Sequence, residues 1–148
     1  MDVVYKKVLA FKKRHPMTVG WRLRKHCEIV QKHLNPDEDV KYAFIAQKND
    51  NSLNMVDSAV VCLTNKRILI GRSRIVFGYF LNSITPDMFN DLKVSGGLIW
   101  GKVYIDTVKE FVTLSNISND ALTEIETEVS SYMMREKKKY GTISRAKD

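Results

Sequence analysis

The chain has 148 residues, is 44% hydrophobic and carries a net charge of +7, which bounds it to about one globular domain with its own core. Its longest clearly apolar run, Ile75–Leu81, falls far short of the roughly 18 residues of a membrane span, and its amphipathic start, with Asp2, lacks the apolar centre of a signal peptide. Cys27 and Cys62 each sit within an apolar pattern and read as two buried thiols in a reducing, cytoplasmic compartment.

The charge is unevenly placed. Residues 1–34 hold nine Lys and Arg against Asp2 and Glu28, a net of +7, so the rest of the chain is electroneutral. His15, His26 and His33 lie in the same segment. Asymmetry of this kind fits an anionic partner, and equally a solvated helical face.

Val4, Val8 and Phe11 recur at i, i+4 and i+7, which predicts a helix over Asp2–Arg14 with Asp2 as its cap. Pro16 closes it at His15. Thr18 is a second cap candidate. Beyond it Val19, Leu23, Cys27, Val30 and Leu34 fall within about 80° of arc, an apolar stripe that docks on a core. Arg22, Lys25, His26, Lys32 and His33 are assigned to the other side over roughly 120°. Trp21 and Ile29 project near them. These seven residues form the candidate anion- or partner-contact surface, with packing against the first helix as the competing reading for Trp21 and Ile29.

Asn35-Pro36-Asp37-Glu38-Asp39 is a polar break after which the period turns strand-like. It divides a basic two-helix extension over residues 1–35 from a β-rich unit over 36–140. Val40–Gln47 reads as a strand and Lys48–Asn54 as a loop. Met55–Leu63 and Arg67–Ile70 form a hairpin, with Thr64-Asn65-Lys66-Arg67 as the tight turn. Its runs are apolar on both pleat faces, so the strands are expected to be covered on two sides. Ile75–Leu81 reads as a further strand, and Thr85-Pro86-Asp87 interrupts. Met88–Ser95 and Leu98–Asp106 flank Gly96-Gly97, a pair suited to the positive φ of a primed turn. Val108–Leu114 supplies a seventh strand. From Ser118 or Asn119, Leu122, Ile125, Val129 and Met133 mark one face of a long helix, acidic at its start and basic at its end as the dipole favours. Gly141–Asp148 reads as a frayed tail.

Seven short strands followed by one amphipathic helix predict an α+β fold, with two antiparallel sheets packed nearly orthogonally and the helix covering the open corner. Particular stretches carry a resemblance. Ala59–Ile70 (AVVCLTNKRILI) is like an "LTN(K/R)R(I/L)" hairpin, and Leu34-Asn35-Pro36-Asp37-Glu38 is like an "L-x-P-x-E" approach to the first strand. Leu81–Thr85, Gly97–Val103 and Leu114–Ile117 add further matches in the same order. The sequence thus resembles the bacterial PH-domain (pleckstrin-homology-like) family over about residues 34–135. The resemblance implies a PH-like barrel of about seven antiparallel strands capped by a C-terminal helix, preceded here by two N-terminal helices. It also implies a binding role without a set ligand. Eukaryotic relatives that bind phosphoinositides use lysines at the end of the first strand and a K/R-x-R pattern on the second. Here Lys48 stands alone, the second strand has no basic residue, and Arg72-x-Arg74 follows the third. Phosphoinositide-specific binding is therefore not expected.

No chemistry is expected either. His26 and His33 lie about 10.5 Å apart along a helix axis, too far to share one ion. No cysteine pair has ligand spacing, and no phosphate loop or nucleophile elbow occurs. Glu124, Glu126 and Glu128 read as a solvated helix face. With no catalytic residue, metal or cofactor indicated, the expectation is a non-enzymatic binding or adaptor module. Its partner would be a protein or a second copy of the chain, met through an edge strand or loop. The runner-up is peripheral binding to an anionic membrane surface from the cytoplasmic side, through the basic N-terminal helices with Trp21 and Ile29 dipping in. Nucleic acid ranks last, because few aromatics accompany the basic residues and no reading-helix motif is present.

Overall fold

In chain order the elements are α1 (Val3–Arg14), α2 (Leu23–His33), β1 (Val40–Gln47), β2 (Ser58–Thr64), β3 (Ile68–Ser73), β4 (Tyr79–Ile84), β5 (Phe89–Ser95), β6 (Trp100–Thr107), β7 (Phe111–Ser118) and α3 (Leu122–Lys147). The computed structural model describes residues 2–49 and 57–147, with side chains through Lys139. Most of the loop read over Lys48–Asn54, and the strand start read at Met55, lie outside the described residues.

The strands form one curled antiparallel sheet in the order β4-β3-β2-β1-β7-β6-β5. Two meanders, β1 to β4 and β5 to β7, meet through the pair Gln47↔Ser115 between β1 and β7. This is the expected PH-like half-barrel, open between β4 and β5. Every residue of β2 is buried, which agrees with strands apolar on both pleat faces. The helices explain it. α1 lies against β1, α2 against β3 and β2, and α3 against β5 and β6. Phe11 of α1 packs its ring against Tyr42 and Phe44, with centroids 6.4 and 5.7 Å away. On β3, Gly71 leaves the space that α2 fills. A Cβ there would come within 2.8 Å of Val30 Cγ2.

Several local expectations give way to tertiary contacts. Asp2 precedes α1 without a side-chain cap bond, and Gln31 Oε1 instead receives the Val4 N–H at 3.2 Å. Thr18 caps no helix. Its Oγ1 accepts the Ser118 N–H at 2.9 Å, and Val19 N–H donates to Asn116 O at 3.0 Å, so this stretch is tied to the end of β7. α2 therefore begins only at Leu23, after Arg22 turns the chain at φ 53°. Neither Gly96 nor Gly97 takes a positive φ. What the turn needs from Gly97 is the missing side chain, which would collide with the Trp100 carbonyl.

On α3, Leu122, Ile125, Val129 and Met133 face the core as their spacing predicts. The helix runs on to Lys147, through the stretch read as a tail. Glu124, however, is no solvated acid. Arg14 grips it through Nε–Oε1 at 2.9 Å and Nη2–Oε2 at 3.1 Å, and the Tyr42 hydroxyl donates to Oε2 at 2.6 Å. Burial alone would raise its pKa, but Arg14, Tyr42 and His15 hold it at about 2.

The polar break and the hairpin turn lock together. The Glu38 side chain is fully buried. Its carboxylate accepts from Arg67 Nη2 at 2.7 Å and Nε at 3.2 Å, from Thr64 Oγ1 at 2.6 Å and from Asn35 N–H at 3.1 Å. Arg67 Nη2 also donates to the His33 carbonyl at the end of α2, at 3.0 Å. One residue further, the Asp39 N–H donates to Asn65 Oδ1 at 2.8 Å, and Lys66 pairs with Asp37 at 2.6 Å. The Tyr132 hydroxyl of α3 donates to the Thr64 carbonyl.

Burial opposes ionisation of Glu38, and the bonds from Arg67, Thr64 and Asn35 reverse that, leaving its pKa below the ordinary value of 4.5. A depressed carboxylate stabilises the fold fully above the unfolded value, and that contribution is lost as pH falls through the lower folded value. Replacing Glu38→Ala strands the Arg67 charge and should cost about 3–5 kcal/mol in urea unfolding at neutral pH. The double variant Glu38→Leu with Arg67→Met should recover much of it.

Candidate functional site

The seven candidate residues do not form one surface. Lys25 and Lys32 are exposed on α2. His26 is buried, at 0% exposure, between α2 and β3, and its Nδ1 accepts the Ser73 N–H at 2.9 Å. The reason lies in the helix wheel, since His26 is only about 40° from Val30 and 60° from Leu23. Ile29 is half-buried over Gly71, 3.5 Å from the position a Cβ would occupy. His33 is half-buried as well. Its Nδ1 donates to Ile29 O at 2.7 Å, which leaves Nε2 to accept from the Tyr79 hydroxyl at 3.1 Å. These three residues fasten α2 to β3 and β4.

Burial is the main reason that the His26 pKa falls to about 4, with the charges of Arg22 and Arg72 acting the same way and the Trp21 backbone opposing them. Its Nε2 has no hydrogen-bond partner of normal geometry. Neutral imidazole is thus the folded form, and unfolding releases it to a value near 6.5. The sign follows: the contribution is complete above pH 6.5 and is lost as pH falls toward 4. Wild-type stability should drop by about 3 kcal/mol or less across that window. His26→Gln, which keeps an acceptor for Ser73, should flatten the slope in denaturant titrations at stepped pH.

Trp21 and Arg22 come together with a different element. Trp21 is 37% exposed, and the Arg22 guanidinium lies 5.2 Å from its ring. Arg22 Nη1 donates to the Arg74 carbonyl at 3.2 Å, which brings both residues beside the β3–β4 turn. That turn was expected to be strand from Ile75 onward. Instead β3 ends at Ser73 and β4 starts at Tyr79. Arg74 N–H donates to Gly78 O at 3.0 Å, and Gly78 at φ 87° reverses the chain. Ile75, Val76 and Phe77 are left at the tip, 61%, 83% and 78% exposed. The apolar run that marked a strand is the apex of a hairpin. The available signal was Gly78, placed where L-residues resist the conformation required.

Cations sit directly behind the tip. Arg72 and Arg74 place their guanidiniums 4.7 and 5.2 Å from the Phe80 ring, and Arg72 also pairs with Asp57 at 3.1 Å. Asp57, Arg72, Arg74, Phe77 and Phe80 help to line an open groove of about 470 Å³. From residue 58 to 86 the chain carries Lys66, Arg67, Arg72 and Arg74 and no carboxylate. At the other end of the segment that holds Trp21, Trp100 Nε1 donates to Met17 O at 2.7 Å, beside exposed Leu98 and Ile99.

Nucleophiles and metal ligands do not gather here. Burial pushes the thiols of Cys27 and Cys62 up to about 12, where thiolate is scarce. Among the described residues no group of three His, Cys, Asp or Glu side chains is placed to hold a metal ion, and no helix is long and apolar enough to cross a membrane.

A comparison with curated proteins gives no match. A family model described as "Bacterial PH domain" matches residues 34–130, from the end of α2 into α3. With well over half of its residues inside that match, and with the curled seven-strand sheet and closing helix in place, the chain belongs to the bacterial PH domain family.

Proposed function

We propose that this chain is a non-enzymatic adaptor module that meets a protein strand, or a second copy of itself, along β4. PH-like domains are binding modules as a class, and the observation that carries this reading is the state of the two sheet edges. β5 lies against α3, whereas β4 ends the sheet with only β3 as its strand partner among the described residues. An unpaired edge offers a row of main-chain donors and acceptors to another chain. Beside it runs a groove of about 340 Å³, lined in part by Leu81, Ser83, Met88 and Lys109. Asn82 Nδ2 crosses it to Glu110 Oε1 at 2.7 Å, a polar contact that an incoming strand would replace.

Light scattering over a concentration series tests the self-pairing arm. Wild type should gain mass with concentration. Asn82→Lys, which keeps a partner for Glu110 while placing a charge on the edge, should weaken association by about tenfold or more. A chain that stays monomeric throughout, and that shows no chemical-shift change on β4 with extended peptides, removes the reading.

A further inference from the structure

We propose that the β3–β4 tip is a docking device for anionic bilayer surfaces, a second contact site separate from the β4 edge and from the helical face of α2. At the tip three consecutive large apolar side chains, Ile75, Val76 and Phe77, stand exposed between β3 and β4 and line the same open groove as Arg72, Arg74 and Phe80. Exposed apolar side chains beside guanidiniums match the boundary between the acyl chains and the anionic headgroups of a bilayer.

The surrounding chemistry is graded in the way such an interface demands. Ile75, Val76 and Phe77 lead. Behind them come rings with polar or cationic company: Phe80 under Arg72 and Arg74, and Trp21 under Arg22. Amphipathic aromatics and guanidiniums partition to the headgroup level, where anionic phosphate attracts them. Asp57 offsets Arg72, so Arg22 and Arg74 supply the main attraction. The absence of carboxylates from residue 58 to 86 removes the repulsion that an acidic rim would set against an anionic surface. Charge and exposed apolar surface thus select a negatively charged bilayer, and they place it at the tip. Lys25 and Lys32 have no exposed apolar companions on α2, because Ile29 and His26 are turned into the β3 contact.

The full chain should be co-sedimented with vesicles of phosphatidylcholine alone and of phosphatidylcholine mixed with phosphatidylglycerol, at low and high salt. Wild type should pellet with the mixed vesicles, less so as salt rises, and only weakly with phosphatidylcholine. Phe77→Asp should reduce the partition coefficient by about tenfold or more, since it removes an aromatic ring that the bilayer would cover and adds repulsion. Arg74→Glu should also lower it. Both positions are exposed, so the thermal midpoint should be unchanged. Lys25→Glu should pellet nearly as wild type does, and so should Asn82→Lys, which separates this proposal from the edge reading. A tryptophan placed by Phe77→Trp should be quenched by brominated acyl chains. The proposal is overturned if mixed vesicles leave the wild type in the supernatant, or if Phe77→Asp pellets as wild type while Lys25→Glu does not. It is equally overturned if the tip retains a protein partner but no vesicle.

Discussion

One buried ion pair ties the hairpin turn to the break before the sheet and to the end of α2. The Glu38 carboxylate and the Arg67 guanidinium meet with the glutamate side chain fully buried, and the end of α2, the break and the hairpin turn all bond to them. Arg67 reaches the last carbonyl of α2 at His33, Glu38 receives Asn35 and Thr64, and α3 arrives through Tyr132 at the Thr64 carbonyl. A buried charge tolerates no loose geometry, because losing a partner leaves it without water or counterion. The hairpin turn, the break before the sheet and both flanking helices are therefore positioned together.

That arrangement explains what the most recognisable residues of the sequence are for. Thr64, Asn65, Lys66 and Arg67 are spent on the loop over Asn35–Asp39, residue against residue. The two stretches that most resemble the family thus hold each other. β3 runs from this fastened end to an unfastened one, where polar turn residues give way to Ile75, Val76 and Phe77. The molecule has a fastened pole and an exposed apolar one, joined by one strand.

Much of this was legible in the residues. Alternation and β-branching located β1 at Val40–Gln47 and the hairpin around Thr64–Arg67, because period and turn chemistry are local properties. The order of strands and the closing helix gave the fold class. The failures share a cause, which is the reading of a side chain by type and not by neighbour. His26 falls at the end of the roughly 120° basic arc that borders the apolar stripe, about 40° from Val30, and the contact with β3 buries it. Ile75–Phe77 were counted as strand because they are apolar. Glu124 was counted as solvated, yet Arg14, more than a hundred positions earlier in the chain, claims it. No local pattern announces a partner so distant. Of the seven candidate residues, Trp21 and Arg22 come to lie beside the β3–β4 turn, a neighbour that their own stretch of sequence does not announce.

Gly71 carries a consequence for the limits of the module. By lacking a side chain it lets Val30 and Ile29 settle directly on β3, so α2 replaces the solvent-facing layer that a free-standing sheet would need. The family match begins at residue 34, one position beyond the helix that roofs this strand. A relative built from the matched span alone, with no such roof, must close the same face with polar residues on β2 and β3, or borrow cover from another polypeptide. The unit that similarity outlines and the unit that packs around this core are then different objects, and in this chain the second is the larger.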